Sequence, residues 1–132
     1  MSGPAIELIL MRQLASHLVM PIFVVDPEGN LLFYNEPAER LLGRRFDEAG
    51  PMPLAEWSTG FTQRDEAGAT VRAEDLPLAV ALREHRPAHR TLWITGDDGV
   101  ARHLGITALP LEGAGGRHLG AVAFFWSLDE RP

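Results

Sequence analysis

The sequence predicts an α+β domain built on an antiparallel sheet. Two short β-branched and aromatic runs flank Asp26-Pro27-Glu28-Gly29-Asn30, and three strand-like segments separated by glycine-rich turns fill the chain between His89 and Trp126. Helical patterns lie between these two groups, so strands and helices are segregated along the chain and do not alternate regularly. At 132 residues, with 45% apolar and 23% charged residues, the chain has the length and balance of one globular domain.

The first element is a helix over residues 1–20. Ile6, Leu10, Met11, Leu14 and Leu18 recur at spacings of three and four, Arg12, Gln13, Ser16 and His17 share the other side, and Pro21 stops the pattern. Leu8, Ile9 and Val19 widen the apolar side beyond a simple stripe. The helix can therefore pair with a second chain or pack only on its own domain, and both readings stand open. Next, Ile22 to Val25 and Leu31 to Tyr34 form a hairpin: Pro27 presets φ for the turn, Gly29 accepts a positive φ, and Asp26 can bond backbone amides within it.

Asn35 is an N-cap, Pro37 falls in the first turn, Leu41 and Leu42 share a face and Gly43 stops a short helix. From Arg44 to Ala73 the pattern weakens into loops and short helical turns, with Leu54, Trp57 and Phe61 as apolar anchors. Glu74 or Asp75 then opens a better helix, with Pro77 in its first turn, Leu78, Leu82 and His85 on one face, and Pro87 at its end. Three strands follow, His89 to Thr95, Val100 to Leu111 and Arg117 to Trp126, joined by turns at Gly96-Asp97-Asp98-Gly99 and Gly113 to Gly116. In the last strand Val122, Phe124 and Trp126 share one face and Leu119, Ala121, Ala123 and Phe125 the other. Both faces are apolar, so both need cover, and the N-terminal helix is the candidate for the outer one.

Composition narrows the function. The net charge is −6 and the arginines are scattered, so no basic stripe matches a nucleic-acid backbone or an anionic membrane. There is no cysteine, which removes disulfides, thiolate chemistry and cysteine-linked chromophores, and all 12 basic residues are arginine, which removes P-loop and Schiff-base lysines. Neither a signal peptide nor a membrane span is expected, so the cytoplasm is the expected compartment. No catalytic motif is found, and the chain is not expected to be an enzyme. Gly113-Ala114-Gly115-Gly116 lacks the third glycine of a dinucleotide motif, since His118 stands there, and a strand follows it. Asp97-Asp98 is turn chemistry, and His85, His89, His103 and His118 fall into no metal-ligand spacing, so no metal is expected.

The order of elements, together with Phe23-Val24-Val25-Asp26-Pro27-Glu28-Gly29-Asn30 and Asn35-Glu36-Pro37-Ala38-Glu39-Arg40-Leu41-Leu42-Gly43, resembles the PAS family of sensor domains. The segment Glu74 to Leu82 is further similar to PAS modules of actinobacterial signalling proteins, which implies a bacterial source and a kinase, phosphatase or cyclase output domain. The resemblance implies a five-stranded antiparallel sheet in order 2-1-5-4-3, short helices on one face around a pocket, and an N-terminal helix that often dimerises.

On that basis residues 1–20 are the flanking helix, 21–128 the PAS domain and 129–132 a linker stub. The implied function is sensory: a small hydrophobic ligand or a protein partner biases the domain, and the state leaves through a homodimer or the flanking segments. The alternative is a ligand-free dimerisation or docking domain. Candidate pocket residues are Phe23, Val25, Phe33, Trp57, Leu78, Leu82, Trp93, Leu104, Ile106, Phe124 and Trp126, and candidate dimer residues are Ile6, Leu10, Met11, Leu14 and Leu18. No cofactor is expected. The minor alternatives are a non-covalent flavin and haem, because haem-binding members of the family carry an axial histidine on the helix where His85 stands.

Overall fold

The computed structural model describes residues 10, 14, 19–42, 62–95 and 99–128. One six-stranded antiparallel sheet carries the domain. Its strands are β1 (Ile22–Val25), β2 (Leu31–Tyr34), β3 (Thr62–Arg64), β4 (Ala88–Thr95), β5 (Ala101–Glu112) and β6 (His118–Ser127), in the order β2-β1-β6-β5-β4-β3. Two helices, α1 (Glu36–Leu42) and α2 (Pro77–Glu84), contribute Ala38, Leu41, Leu78 and Ala81 to the core on its inner face.

The five expected strands keep their expected order, and β3 is a correction to the count. It lies in the stretch expected to be loops and short helical turns, where Thr62-Gln63-Arg64 carries no apolar alternation. The open edge of β4 makes it a strand, through the pairs Thr62 with Thr95, Gln63 with Ile94 and Arg64 with Trp93. Edge pairing of this kind rests on backbone bonds, which leave no mark in a three-residue side-chain pattern. The predicted N-terminal helix lies outside the described residues except at Leu10 and Leu14, which are helical and exposed.

The β1–β2 turn forms as its residues require. Asp26 accepts from the backbone of Glu28 and Asn30 at 3.0 and 2.9 Å, and Gly29 adopts a φ of 89°. At the other end of β2, Asn35 caps α1 through Ala38 N–H at 3.2 Å. Its Oδ1 also accepts from Ile22 N–H at 3.0 Å and its Nδ2 donates to the Met20 carbonyl at 2.9 Å. One buried side chain thus joins the start of β1 to the start of a helix.

The second helix is shorter than its sequence pattern. A 3-10 turn over Ala73–Asp75 and an extended Leu76 precede it, so it starts at Pro77, and His85 ends it in a left-handed conformation two residues ahead of Pro87. The meander matches expectation, with β4, β5 and β6 paired in sequence and a glycine turn between the last two.

The sheet separates two apolar clusters. The inner one joins Phe23, Val25, Leu92, Leu104, Ile106, Ala121, Ala123 and Phe125 to the helices. The outer one holds Ile22, Val24 and Val122, with Met20, Phe33, Leu111 and Phe124 packed against them. Strand alternation sends neighbouring residues to opposite sides, so the two clusters interleave along β1 and β6.

Candidate functional site

Of the eleven candidate pocket residues, Phe23, Val25, Leu78, Leu104 and Ile106 are brought together on the inner face, and Leu82 packs at its margin. Aromatic contacts tighten this group: the Phe23 ring lies 5.4 Å from Tyr34 and 4.9 Å from Phe125. Four of the eleven lie elsewhere. Phe33 and Phe124 belong to the outer cluster, and Trp93 and Trp126 project from the same outer side. A strand pattern says which residues share a face and not which face turns inward, so these four do not join one lining with Phe23. Trp57 lies outside the described residues.

The aromatic residues of the outer face are paired with histidines. Trp93 stacks on His103 at 4.6 Å, and Trp126 stacks on His89 at 5.7 Å. Trp126 has room to lie there because its partner across the strands is Gly105, where a Cβ would overlap the indole. His103 Nε2 also meets Glu66 Oε2 at 2.6 Å, which ties the turn after β3 to the sheet. Hydrogen bonds from His103 and then Thr91 hold the Glu66 carboxyl below the usual carboxylate range.

His85 is the C-cap of α2 and not a residue of the helix itself. The helix ends one residue before it, and its left-handed backbone, with φ at 54°, leaves the ring exposed and stacked on His118 at 3.8 Å. The ring therefore departs from the Leu78 and Leu82 face that sequence spacing assigned it. Among the described residues no group of three or more His, Cys, Asp or Glu is placed to hold a metal ion.

Two open grooves adjoin the core. One, of about 400 Å³, lies between the β1–β2 turn and α2 and is lined by Pro27, Ala79, Leu82 and Arg83 among others. The other, of about 500 Å³, lies between α1 and the ends of β5 and β6. Pro37, Arg40 and Leu41 form one wall, Val100 to Arg102 and Leu104 the other, and Pro21, Trp126 and Ser127 complete it. Sequence reasoning missed this groove because its residues come from four separate stretches, of which only Leu104 and Trp126 had been singled out as pocket candidates.

This second groove sits where the chain enters and leaves the sheet. Phe125 N–H donates to the Pro21 carbonyl at 3.0 Å, so the segments before β1 and after β6 emerge side by side. A model of the PAS fold matches residues 15–131. The chain belongs to the PAS family. As a PAS domain it is a member of a family whose modules generally sense and signal, commonly dimerise and connect to output domains.

Solved structures agree on the fold. The PAS domain of BvgS from Bordetella pertussis is 21% identical, with a TM-score of 0.62 over 95% of this chain and 88% of that one. The PAS domain of nitrogen regulation protein NR(II) from Vibrio parahaemolyticus is 16% identical, with a TM-score of 0.63 over 90% and 98%. The LOV protein of Rhodobacter sphaeroides is 16% identical, with a TM-score of 0.71 over 95% and 69%. No curated protein matches the chain. Among the described residues, no helix is long and apolar enough to cross a membrane.

Proposed function

We propose that this PAS domain is a non-catalytic sensory module that takes up a small, largely apolar molecule and passes its bound state to the segments flanking the sheet. The observation that carries this reading is the shared exit: the Phe125–Pro21 bond and the Asn35 bridge couple the two ends of the domain to α1 and to the core beneath it. A ligand that shifts α1 against the sheet changes both flanks at once. In this reading the N-terminal segment, with Ile6, Leu10, Met11, Leu14 and Leu18, pairs two copies in the cytoplasm, and an output domain or partner protein receives the signal. A cysteine-linked flavin has no part in it, because the chain has no cysteine.

A second reading, a ligand-free docking or dimerisation domain, is favoured by one observation. Trp93 and Leu109 are each 37% exposed on the outer face, which leaves apolar surface for a protein partner. Native and denaturing mass spectrometry of freshly purified protein, combined with size-exclusion chromatography and light scattering, separates the two. A mass increment present only under native conditions supports ligand uptake, and a dimer without an increment favours docking. A monomer with no increment overturns both.

A further inference from the structure

We propose that the groove between α1 and the start of β5 binds an amphiphilic anion, with Arg40 as the anchor for its charge and Pro37, Leu41 and Leu104 as the walls for its apolar body. The first observation is electrostatic. The chain carries 18 acidic residues against 12 basic ones, yet among the described residues two arginines and no acidic one line this groove. Within it the local charge is opposite to that of the molecule as a whole.

The second observation concerns how the two guanidinium groups are held. Arg102 donates from Nη1 to the carbonyls of Leu41 at 3.0 Å and Val100 at 3.5 Å, which fixes its side chain between α1 and β5. Its charge is therefore already ordered before a ligand arrives. Arg40 is different: its ion pair with Glu36 spans 3.6 Å, one helical turn apart, and both side chains are largely exposed. Such pairs contribute little, so Arg40 can exchange Glu36 for a ligand anion at small cost. The planar guanidinium then offers two parallel N–H donors to a carboxylate.

The third observation is shape. The groove's volume of about 500 Å³ suits a small organic molecule. Leu41 and Leu104 belong to the buried core, so an apolar body seated there meets the interior of the domain. Pro21 and Ser127 also line it, which puts the ligand in contact with both flanks. That consequence rests on the proposed sensory reading, while the binding itself does not.

The test uses a matched pair of probes, naphthalene-2-carboxylate and naphthalene-2-carboxamide, titrated by calorimetry with NMR of the Arg102 and Ser127 backbone amides. The carboxylate is expected to bind at least tenfold more tightly than the carboxamide and to shift the Arg102 and Ser127 amide signals. Arg40→Gln, at an exposed position, is expected to remove most of that tenfold preference with the circular-dichroism spectrum unchanged, whereas Arg86→Gln, outside the groove, leaves it intact. Equal binding of the two probes, no binding of either, or an unchanged preference in Arg40→Gln overturns the proposal. Any of those results leaves the ligand-uptake reading to be judged separately, by the native mass increment.

Discussion

Asn35 is the side chain whose loss the fold should feel most widely for its size. Asn35→Ala removes the acceptor of Ile22 N–H, the acceptor of Ala38 N–H and the donor to the Met20 carbonyl in one change. Loss of a helix N-cap costs about 1 kcal/mol. Ile22 is fully buried, and leaving its N–H without this acceptor costs about a further 2 kcal/mol. The sum of about 3 kcal/mol corresponds to a fall in Tm of roughly 12 °C for a domain of this length.

Thermal and urea unfolding followed by circular dichroism measure that loss, and amide exchange locates it. Exchange at Ile22 and Ala38 should accelerate more than exchange at Leu92, which lies across the sheet and shares none of these bonds. A destabilisation below about 1 kcal/mol, or equal acceleration at all three amides, would refute the claim that Asn35 holds the start of β1 to α1.

Two further predictions follow from the backbone and the charges. Gly120 has a φ of 126° and a Cβ there would overlap the Val25 carbonyl, whereas Gly115, with a φ of 73°, has open space around it. Gly120→Ala should therefore cost about 3 kcal/mol or more and Gly115→Ala about 1 kcal/mol in chemical denaturation, and similar losses would contradict the close approach of β6 to β1. Glu66 is held in its charged form by His103 and Thr91, so its folded-state pKa lies below that of the unfolded chain. Its stabilising contribution is present above the unfolded value and is lost as pH falls through the folded one. Glu66→Gln should consequently flatten the acid side of the Tm–pH profile below the ordinary carboxylate pKa, and an unchanged slope would count against the Glu66–His103 tie.

Much of the fold was legible because short-range chemistry decided it. Asp26, Gly29, the Asn35 cap of α1 and the Gly113 to Gly116 turn act within a few residues of where they stand, and each does what its side chain or its φ requires. The candidate site was legible only in part. Phe124 and Trp126 are on one side of β6 in sequence and in structure, yet that side is the outer one, because inward direction depends on which face the helices cover. His85 misled for a related reason: the spacing placed it on the helix face, but the helix stops at Glu84 and the left-handed cap turns the ring away.

By itself the sequence determined the α+β class, the hairpin and meander, the Asn35-capped helix and the exclusion of cysteine and lysine chemistry, since these rest on composition and on contacts a few residues apart. Tertiary structure alone decided that Thr62–Arg64 joins the sheet, which face of β6 is the interior, and that Arg40, Arg102 and Leu104 line one groove beside the start of β1 and the end of β6. Those outcomes depend on backbone edges and on side chains 62 positions apart, such as Arg40 and Arg102, and no local pattern encodes their meeting.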